Sequence, residues 1–348
     1  MKKQEKNNGF SNKIILVTGG TGSIGSGLVR RLIEYKPKQI RILSRDQNKQ
    51  YQLAEELKHS PNLRFLIGDI RDRERLDLAM ENVDIIFHAA ALKHVPSCEY
   101  NPFEAIKTNI IGSQNIIDLA RKHQVKKIIA ISTDKAVNPN SIMGTSKLMM
   151  ERLFVNANQY LTHLGTKFAC VRFGNIAWAN GSVLPIWTKQ VEKNNEITIT
   201  NPDMTRFLMS TNQALNLVIK AAQLTKGGEI FILKMPAIKL GDLAKIFVRK
   251  YTSKKKVKIR HIGNRGGEKE HEELVAVSDL DRDIFENKEM LIIAPPQPVY
   301  FKRKEIRSYS GFTKIKNPAA LTVSSIDSIN ADAIKKFIVE HINKQLNT

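Results

Sequence analysis

Between a β-branched run, Ile14–Thr18, and an amphipathic stretch, Ser23–Glu34, lies Thr18-Gly19-Gly20-Thr21-Gly22-Ser23-Ile24-Gly25. Gly19, Gly22 and Gly25 follow Gly-x-x-Gly-x-x-Gly spacing at a strand-to-helix turn. Glycine there permits the tight turn, lets backbone N–H groups approach a pyrophosphate, and allows close helix–strand packing. The same alternation continues downstream. Strands are expected at Gln39–Leu43, Arg64–Ile67, Asp84–His88, Lys127–Ser132 and Phe168–Arg172, with helices at Gln47–Leu57, Glu104–Arg121 and Thr145–Asn158. Most of these strands are nearly unbroken apolar runs, as when helices cover both sheet faces. The pattern predicts an α/β fold: a Rossmann-type doubly wound parallel sheet over residues 12–175, after a flexible terminus at 1–11. Beyond Asn175 the rhythm loosens at Asn180–Pro185 and Thr200–Asp203. Residues 176–348 are therefore expected to form mainly a smaller C-terminal substrate-binding lobe that returns in places to the first domain.

A chain of 348 residues, 42% apolar and 26% charged, can bury a core of this size. No apolar run reaches the ~18–20 residues of a membrane span, and the polar start lacks a signal core, so a cytoplasmic protein is expected. Cys98 and Cys170 read as inert buried thiols in a reducing compartment. No metal is expected. The excess of 55 Lys+Arg over 34 Asp+Glu gives +21. Its clusters, Lys254–Lys256 and Phe301–Lys304, lack the interleaved aromatics of a single-strand platform. A solvated basic surface with weak attraction to anionic membrane is expected, and no nucleic-acid partner.

The second strand ends Leu43-Ser44-Arg45-Asp46. A hydroxyl and a guanidinium arrive before any acid, which suits the 2′-phosphate of NADP better than the ribose diol of NAD. Asp46 reads as the N-cap of the following helix, and Lys49 can add charge to the phosphate. Asp69-Ile70 and Ala89-Ala90-Ala91 end later strands and complete the dinucleotide site, with Thr21, Gly22, Ser23 and Ile24 in the loop.

Ser132-Thr133-Asp134-Lys135 follows the fifth expected strand, and Met143 and Lys147 follow in turn. A short-chain dehydrogenase/reductase carries Ser/Thr at this strand end and Tyr-x-x-x-Lys on the next helix; here a thioether replaces the phenol. Together with Lys93-His94-Val95-Pro96, Arg172-Phe173-Gly174-Asn175, Met204-Thr205-Arg206-Phe207 and Gly267-Glu268-Lys269-Glu270-His271-Glu272, these segments resemble the C5-inverting UDP-N-acetylglucosamine 4,6-dehydratases of polysaccharide biosynthesis, in the extended short-chain dehydrogenase/reductase superfamily. The resemblance implies a tightly bound, recycled NADP, UDP-GlcNAc as substrate, a capsule or surface-glycan role, and a homo-oligomer, either dimer or hexamer. Its Thr-Asp-Lys segment is specific to the inverting branch.

The implied chemistry oxidises C4, removes the acidified C5 proton, expels the C6 hydroxyl as water and returns hydride to C6. Lys135 is the candidate C5 base if burial or neighbours lower its pKa, and Asp134 is the candidate acid with a raised one. Thr133 and Ser132 would orient the 4-oxygen, while Lys147 would hold the nicotinamide ribose. Methionine cannot shuttle a proton, so the 4-hydroxyl proton must leave through Asp134, Lys135 or a water held by Thr133. The resemblance further assigns Asn109 and Lys93 to the cofactor, and Lys93, His94, Asn175, Ser182, Val183, Leu184, Pro185, Arg206, Arg265 and Glu268 to the substrate. Arg206 could equally pair with Asp203 or a neighbouring subunit. Rival expectations are a 5,6-dehydratase that stops at the exocyclic alkene, a sugar-nucleotide 4-epimerase, and an inactive NADP-sensing scaffold.

Overall fold

Six alternating apolar segments become the parallel half of one large sheet. The computed structural model describes residues 9–160, 165–251, 257–297, 307–318, 321 and 324–346, so both expected basic clusters lie outside the described residues. Strands β1 (Ile14–Thr18), β2 (Gln39–Ser44), β3 (Leu63–Ile67), β4 (Ile85–His88), β5 (Lys127–Ile131) and β6 (Lys167–Arg172) lie in the order 3-2-1-4-5-6. Each neighbouring pair is parallel, and the order reverses between β1 and β4. That reversal is the switch point at which doubly wound sheets open a crevice at their carboxyl edge. Helices α1 (Ser23–Ile33), α2 (Gln47–Glu56) and α3 (Arg73–Met80) connect the first four strands.

After β4 the chain departs from expectation. The single helix expected at Glu104–Arg121 is composite. Short helices α4 (Val95–Tyr100) and α5 (Pro102–Ala105) lead into a π-helical segment, Ile106–Ile111, before α6 (Gly112–Lys122). Asn109, fully buried in the π segment, bonds both the N–H and the carbonyl of Leu92, an anchor that accompanies the altered winding. Helix α7 (Ile142–Tyr160) then crosses to β6. Phe10, expected in a frayed terminus, is buried with its ring centroid 5.2 Å from Tyr35, because an apolar ring beside the core has a place to pack.

The second half divides its strands. β7 (Asn175–Ile176), β9 (Thr205–Met209) and β11 (Ala237–Lys239) form a three-stranded sheet, while β8 (Glu196–Ile199) pairs with β12 (Lys258–His261). Helices α8 (Val183–Asn194), α10 (Leu240–Tyr251) and α11 (Ala331–Leu346) pack with them around Leu184, Trp187, Ile197, Phe247 and Ile334. This is the smaller lobe. Helix α9 (Thr211–Leu224) and β10 (Ile230–Leu233) return to the main sheet, where β10 runs parallel to β6. β14 (Met290–Ile293), β13 (Ile284–Glu286) and β15 (Thr313–Lys314) extend that edge antiparallel.

A buried ion cluster locks α7 and the stretch 274–282 to β6. Arg172 bonds both carboxylate oxygens of Glu151 on α7, donates to Asp279 Oδ2 at 2.9 Å, and reaches the Leu274 carbonyl at 2.7 Å. All three charged side chains are at most 1% exposed. Breaking such a pair from one side leaves a buried charge short of partners. Glu151→Ala is therefore expected to lower unfolding free energy by about 3 kcal/mol, read as an earlier denaturant midpoint; an unchanged midpoint would show the cluster to be energetically idle.

Candidate active site

The glycine turn adopts the close approach its sequence calls for. Gly19 sits at φ +65°, and a Cβ there would stand 2.7 Å from the Ala90 nitrogen. A Cβ on Gly25 would strike the Gly19 carbonyl. Gly22 caps α1 without a side-chain hydrogen bond, leaving first-turn N–H groups for an anion. Thr21 Oγ1 bonds Ser44 Oγ at 2.6 Å, tying the loop to the end of β2. Ser23 Oγ accepts the Asn180 N–H at 3.0 Å, so its hydroxyl links the loop to the lobe, while Ile24 packs against the core.

Arg45 extends from β2 half-exposed, 3.4 Å from Asp69 Oδ2. Asp69 is gripped more closely by Arg71 at 2.7 Å; burial alone would raise its pKa, but the Arg71 hydrogen bonds and the flanking arginines hold it low. Asp46 does cap α2, accepting from the Lys49 N–H at 3.0 Å, and its carboxylate also meets Lys49 Nζ. Ile70 is buried and Ala89–Ala91 line the strand edge beside the glycine turn. Asn109, assigned to the cofactor by resemblance, has its amide occupied by Leu92 and by Ser146 Oγ at 2.9 Å. It holds the loop after β4. His88, not anticipated, is buried between Thr18 Oγ1 at 2.8 Å and Ser113 Oγ at 3.1 Å, and burial pushes its pKa down to about 3, leaving it neutral.

At the end of β5 the chain enters a one-turn 3₁₀ helix, Asp134–Ala136, capped by Thr133. Thr133 Oγ1 donates to Asp134 Oδ1 at 2.9 Å. Lys135 Nζ lies 3.1 Å from Asp134 Oδ1, 3.1 Å from Glu272 Oε1 and 3.3 Å from Asn175 Oδ1. Asp134 is fully buried, which raises its pKa despite Lys135. Lys135 departs from expectation. Burial alone would lower its pKa, but the Asp134 and Glu272 carboxylates outweigh burial and raise it, so the amine is held as ammonium. Glu272 went unassigned in the sequence, although it closes the Gly-Glu-Lys-x-His-Glu segment. Burial pushes its pKa up, yet Lys135 and Arg206 bring it below the usual carboxylate value. Arg206 accordingly faces Glu272, at 3.9 Å, while Asp203 pairs with Lys239.

Met143 is buried beside Cys98 and Ala105, with Leu92, Val95 and Ile142 around it. It fills an apolar pocket between α4 and α7. One turn on, Lys147 donates to the Ile131 carbonyl at 2.6 Å, and burial lowers its pKa to about 8. Ser132 Oγ is buried without a protein hydrogen-bond partner. A glycine cradle that no side chain could enter, an uncapped helix start and this unpartnered hydroxyl at the strand edge together fit a dinucleotide cofactor.

Between the sheet edge and the lobe opens a cleft. Of the expected residues, Lys135, Asn175, Val183, Arg206, Arg265 and Glu268 line it, joined by Trp187 and Glu272. Arg265 and Glu268 approach to 4.0 Å. Ser182 caps α8 with its hydroxyl buried, and Pro185 lies in that helix's first turn. Leu184, about 100° around the helix from the cleft-lining Val183, turns into the lobe core. Lys93 donates to the Asn180 carbonyl at 2.8 Å and burial lowers its pKa; the His94 ring covers Gly181. Both stand at the rim, outside the residues lining the cleft.

A family model described as polysaccharide biosynthesis protein matches residues 15–294. The chain belongs to this family. It is 48% identical to an uncharacterized membrane protein of Methanocaldococcus jannaschii over 84% of this chain and 89% of that one. It is 45% identical to the inverting UDP-N-acetylglucosamine 4,6-dehydratase of Campylobacter jejuni, covering 78% and 79%, and 44% identical to the UDP-glucose 4-epimerase of Rickettsia canadensis, covering 78% and 80%. Among solved structures, Pen from Bacillus thuringiensis is 40% identical, with a TM-score of 0.88 over 97% of this chain and 99% of that one. The family resemblance carried by the motifs is thus borne out. Among the described residues no helix is long and apolar enough to cross a membrane.

Lys147 makes stability depend on pH in a defined direction. Its folded pKa of about 8 lies below the ordinary 10.5, so between these values the unfolded chain binds more protons. The burial penalty is full below pH 8 and fades as pH rises toward 10.5. Denaturant titrations from pH 7 to 10 should show Lys147→Met gaining most over wild type at the acid end; a gap independent of pH would contradict the shift.

Proposed function

We propose that this protein is an NADP-dependent hydro-lyase that dehydrates UDP-N-acetylglucosamine across C5–C6 through a C4 ketone, yielding a C5-inverted UDP-2-acetamido-2,6-dideoxy-4-keto-hexose for surface-glycan or capsule synthesis. The observation that carries this reading is the pairing of an amine on the wall of the cleft, Lys135, with a buried acid, Asp134, 3.1 Å behind it. Simple alcohol oxidation has no use for the pair, whereas β-elimination needs a proton removed at one carbon and delivered to the leaving oxygen at the next. The inverting dehydratase among the relatives supports the same choice.

Bound against Gly19–Gly25, with Ser44, Arg45 and Lys49 toward its 2′-phosphate and Lys147 toward its nicotinamide ribose, NADP would accept hydride from the sugar and return it. The protein's own groups handle the protons. With Met143 incapable of proton transfer, Thr133 relays the 4-hydroxyl proton to Asp134 Oδ1, along the hydrogen bond it already donates. Burial raises the proton affinity of Asp134, so it retains that proton until the C6 hydroxyl departs as water. Lys135, an ammonium in the resting site, takes the C5 proton once it has given up its own. Arg265 offers a guanidinium to the diphosphate and Glu268 a carboxylate to the uridine ribose.

One observation favours a second outcome. Return of hydride to C6 requires a proton donor at C5, and an ammonium flanked by two carboxylates is a poor donor. Retention of the alkene, with hydride returned to C4, is then the 5,6-dehydratase product.

Incubation with UDP-GlcNAc and NADP⁺, followed by NMR of the product, separates the readings. A 6-deoxy-4-ketone with inverted C5 is expected; a 5,6-alkene supports the second outcome, a C4 epimer retaining its C6 hydroxyl points to the epimerase, and no turnover leaves the scaffold. Cofactor choice is tested by Arg45→Ala. It should weaken NADP⁺ by about 1.5–3 kcal/mol, the range for hydrogen bonds to charged groups, and leave NAD⁺ nearly untouched; equal loss of both would remove Arg45 from the 2′-phosphate.

A further inference from the structure

An ammonium carries three N–H donors and no lone pair. At Lys135 these point toward Asp134, Glu272 and Asn175, within 3.1 to 3.3 Å. The side chain remains 24% exposed on the wall of the cleft. In this arrangement it cannot take a proton from carbon, because it must first lose one. Asn175 has no basic group to receive it. Asp134 Oδ2 is likewise buried without a protein partner, but this acid takes up the 4-hydroxyl proton through Thr133 and holds it for the leaving oxygen. Glu272 remains.

Several features equip Glu272 for that task. Its side chain is 2% exposed, yet Oε2 has no protein hydrogen-bond partner. Its position is fixed from behind. The Glu272 N–H donates to Ser325 Oγ at 2.7 Å, the Ser325 N–H returns a bond to the Glu272 carbonyl at 2.8 Å, and Ser325 Oγ also bonds Thr205 Oγ1. Thr205 Oγ1 in turn meets His271 Nδ1 at 2.9 Å. A carboxylate with so rigid a backbone and a spare oxygen is built to exchange a proton without moving.

We propose that Glu272 is the positioning residue that receives the Lys135 ammonium proton and releases the free amine to attack the C5–H bond. The step balances. The N–H bond of Lys135 breaks, an O–H bond forms on Glu272, and an ion pair becomes a neutral pair. The amine then takes H⁺ from C5, whose electron pair passes into the 4-ketone as enolate. Expulsion of the C6 oxygen with the proton held by Asp134 gives water. When C5 is reprotonated by Lys135, the amine recovers its proton from Glu272; when the alkene is kept and hydride returns to C4, the proton held by Glu272 goes instead to the 4-oxygen and restores its hydroxyl. Burial disfavours the charged form of both partners, so a ligand that displaces water from the cleft drives the pair toward neutrality. Asp134, Arg206 and Lys269 complete the set of charges acting on the pair, and Arg206 opposes protonation of Glu272.

This role rests on the proposed dehydration. It is tested by solvent-deuterium exchange at C5 of UDP-GlcNAc in the full-length protein with NADP⁺, from about pH 7 to about pH 9, for wild type, Glu272→Gln and Glu272→Asp. Glu272→Gln should exchange about a hundredfold more slowly than wild type near pH 7 and recover as pH rises and solvent takes the proton. Glu272→Asp, which restores a carboxylate, should keep a flat profile and much of the rate, with NADP⁺ binding unchanged in both. Glu272→Gln with the wild-type rate and profile overturns the role, as does an equal loss in both variants without alkaline recovery. A wild type that leaves C5 unexchanged overturns the functional reading instead.

Discussion

One buried cation joins the parts of this molecule that must not move relative to one another. Arg172, at the end of β6, is shared by Glu151 of α7 and Asp279 of the C-terminal half, with the Leu274 carbonyl between them. A solvent-exposed pair of the same kind would contribute little. Out of water, an unmatched charge is costly enough that the three elements hold a single arrangement. Lys147 shares α7 with Glu151, and Glu272 precedes Leu274 by two residues. Groups from opposite ends of the chain are thereby held in register at the crevice.

The second organising constraint is local: two buried carboxylates converge on one ammonium. Although the chain carries +21, two buried carboxylates, Asp134 and Glu272, share Lys135, with Arg206 farther off. Net charge thus says little about the interior of a site, where distance and desolvation decide which protons are kept.

Much of the fold was legible because its cause is local. Apolar runs punctuated by turn residues marked β1 to β6, and the glycine spacing marked the crevice. Asp46 was readable as a cap because its carboxylate serves an N–H three residues away. What escaped depends on contacts distant in sequence. The pKa of Lys135 is raised by Asp134 beside it and also by Glu272, a partner 137 positions downstream by their numbering. No periodicity could reveal that, nor that Arg206 would turn from Asp203 toward Glu272. Asn109 was assigned to the cofactor because its segment resembled one, while its amide is taken by a backbone 17 residues earlier. The antiparallel edge of β13 to β15 escaped for the same reason: short strands completed by distant pairing leave a weak imprint on the sequence.

The π-helical segment Ile106–Ile111 has a geometric consequence of its own. Gly112 N–H bonds the Lys107 carbonyl, five residues back, so this stretch holds one residue more than an α-helix of the same rise. Each α-helical residue advances the direction of its side chain by about 100°. The face that α6 presents is therefore offset from the one α5 would have projected onto it. Removing one residue between Ile106 and Ile111 would heal the winding but rotate every position on one side of the cut relative to the other. Either Asn109 would swing away from Leu92, or Ile116, Ile117 and Ala120 would leave the core they fill. The extra residue acts as a phase shifter, letting one continuous rod serve a backbone anchor at one end and a hydrophobic core at the other.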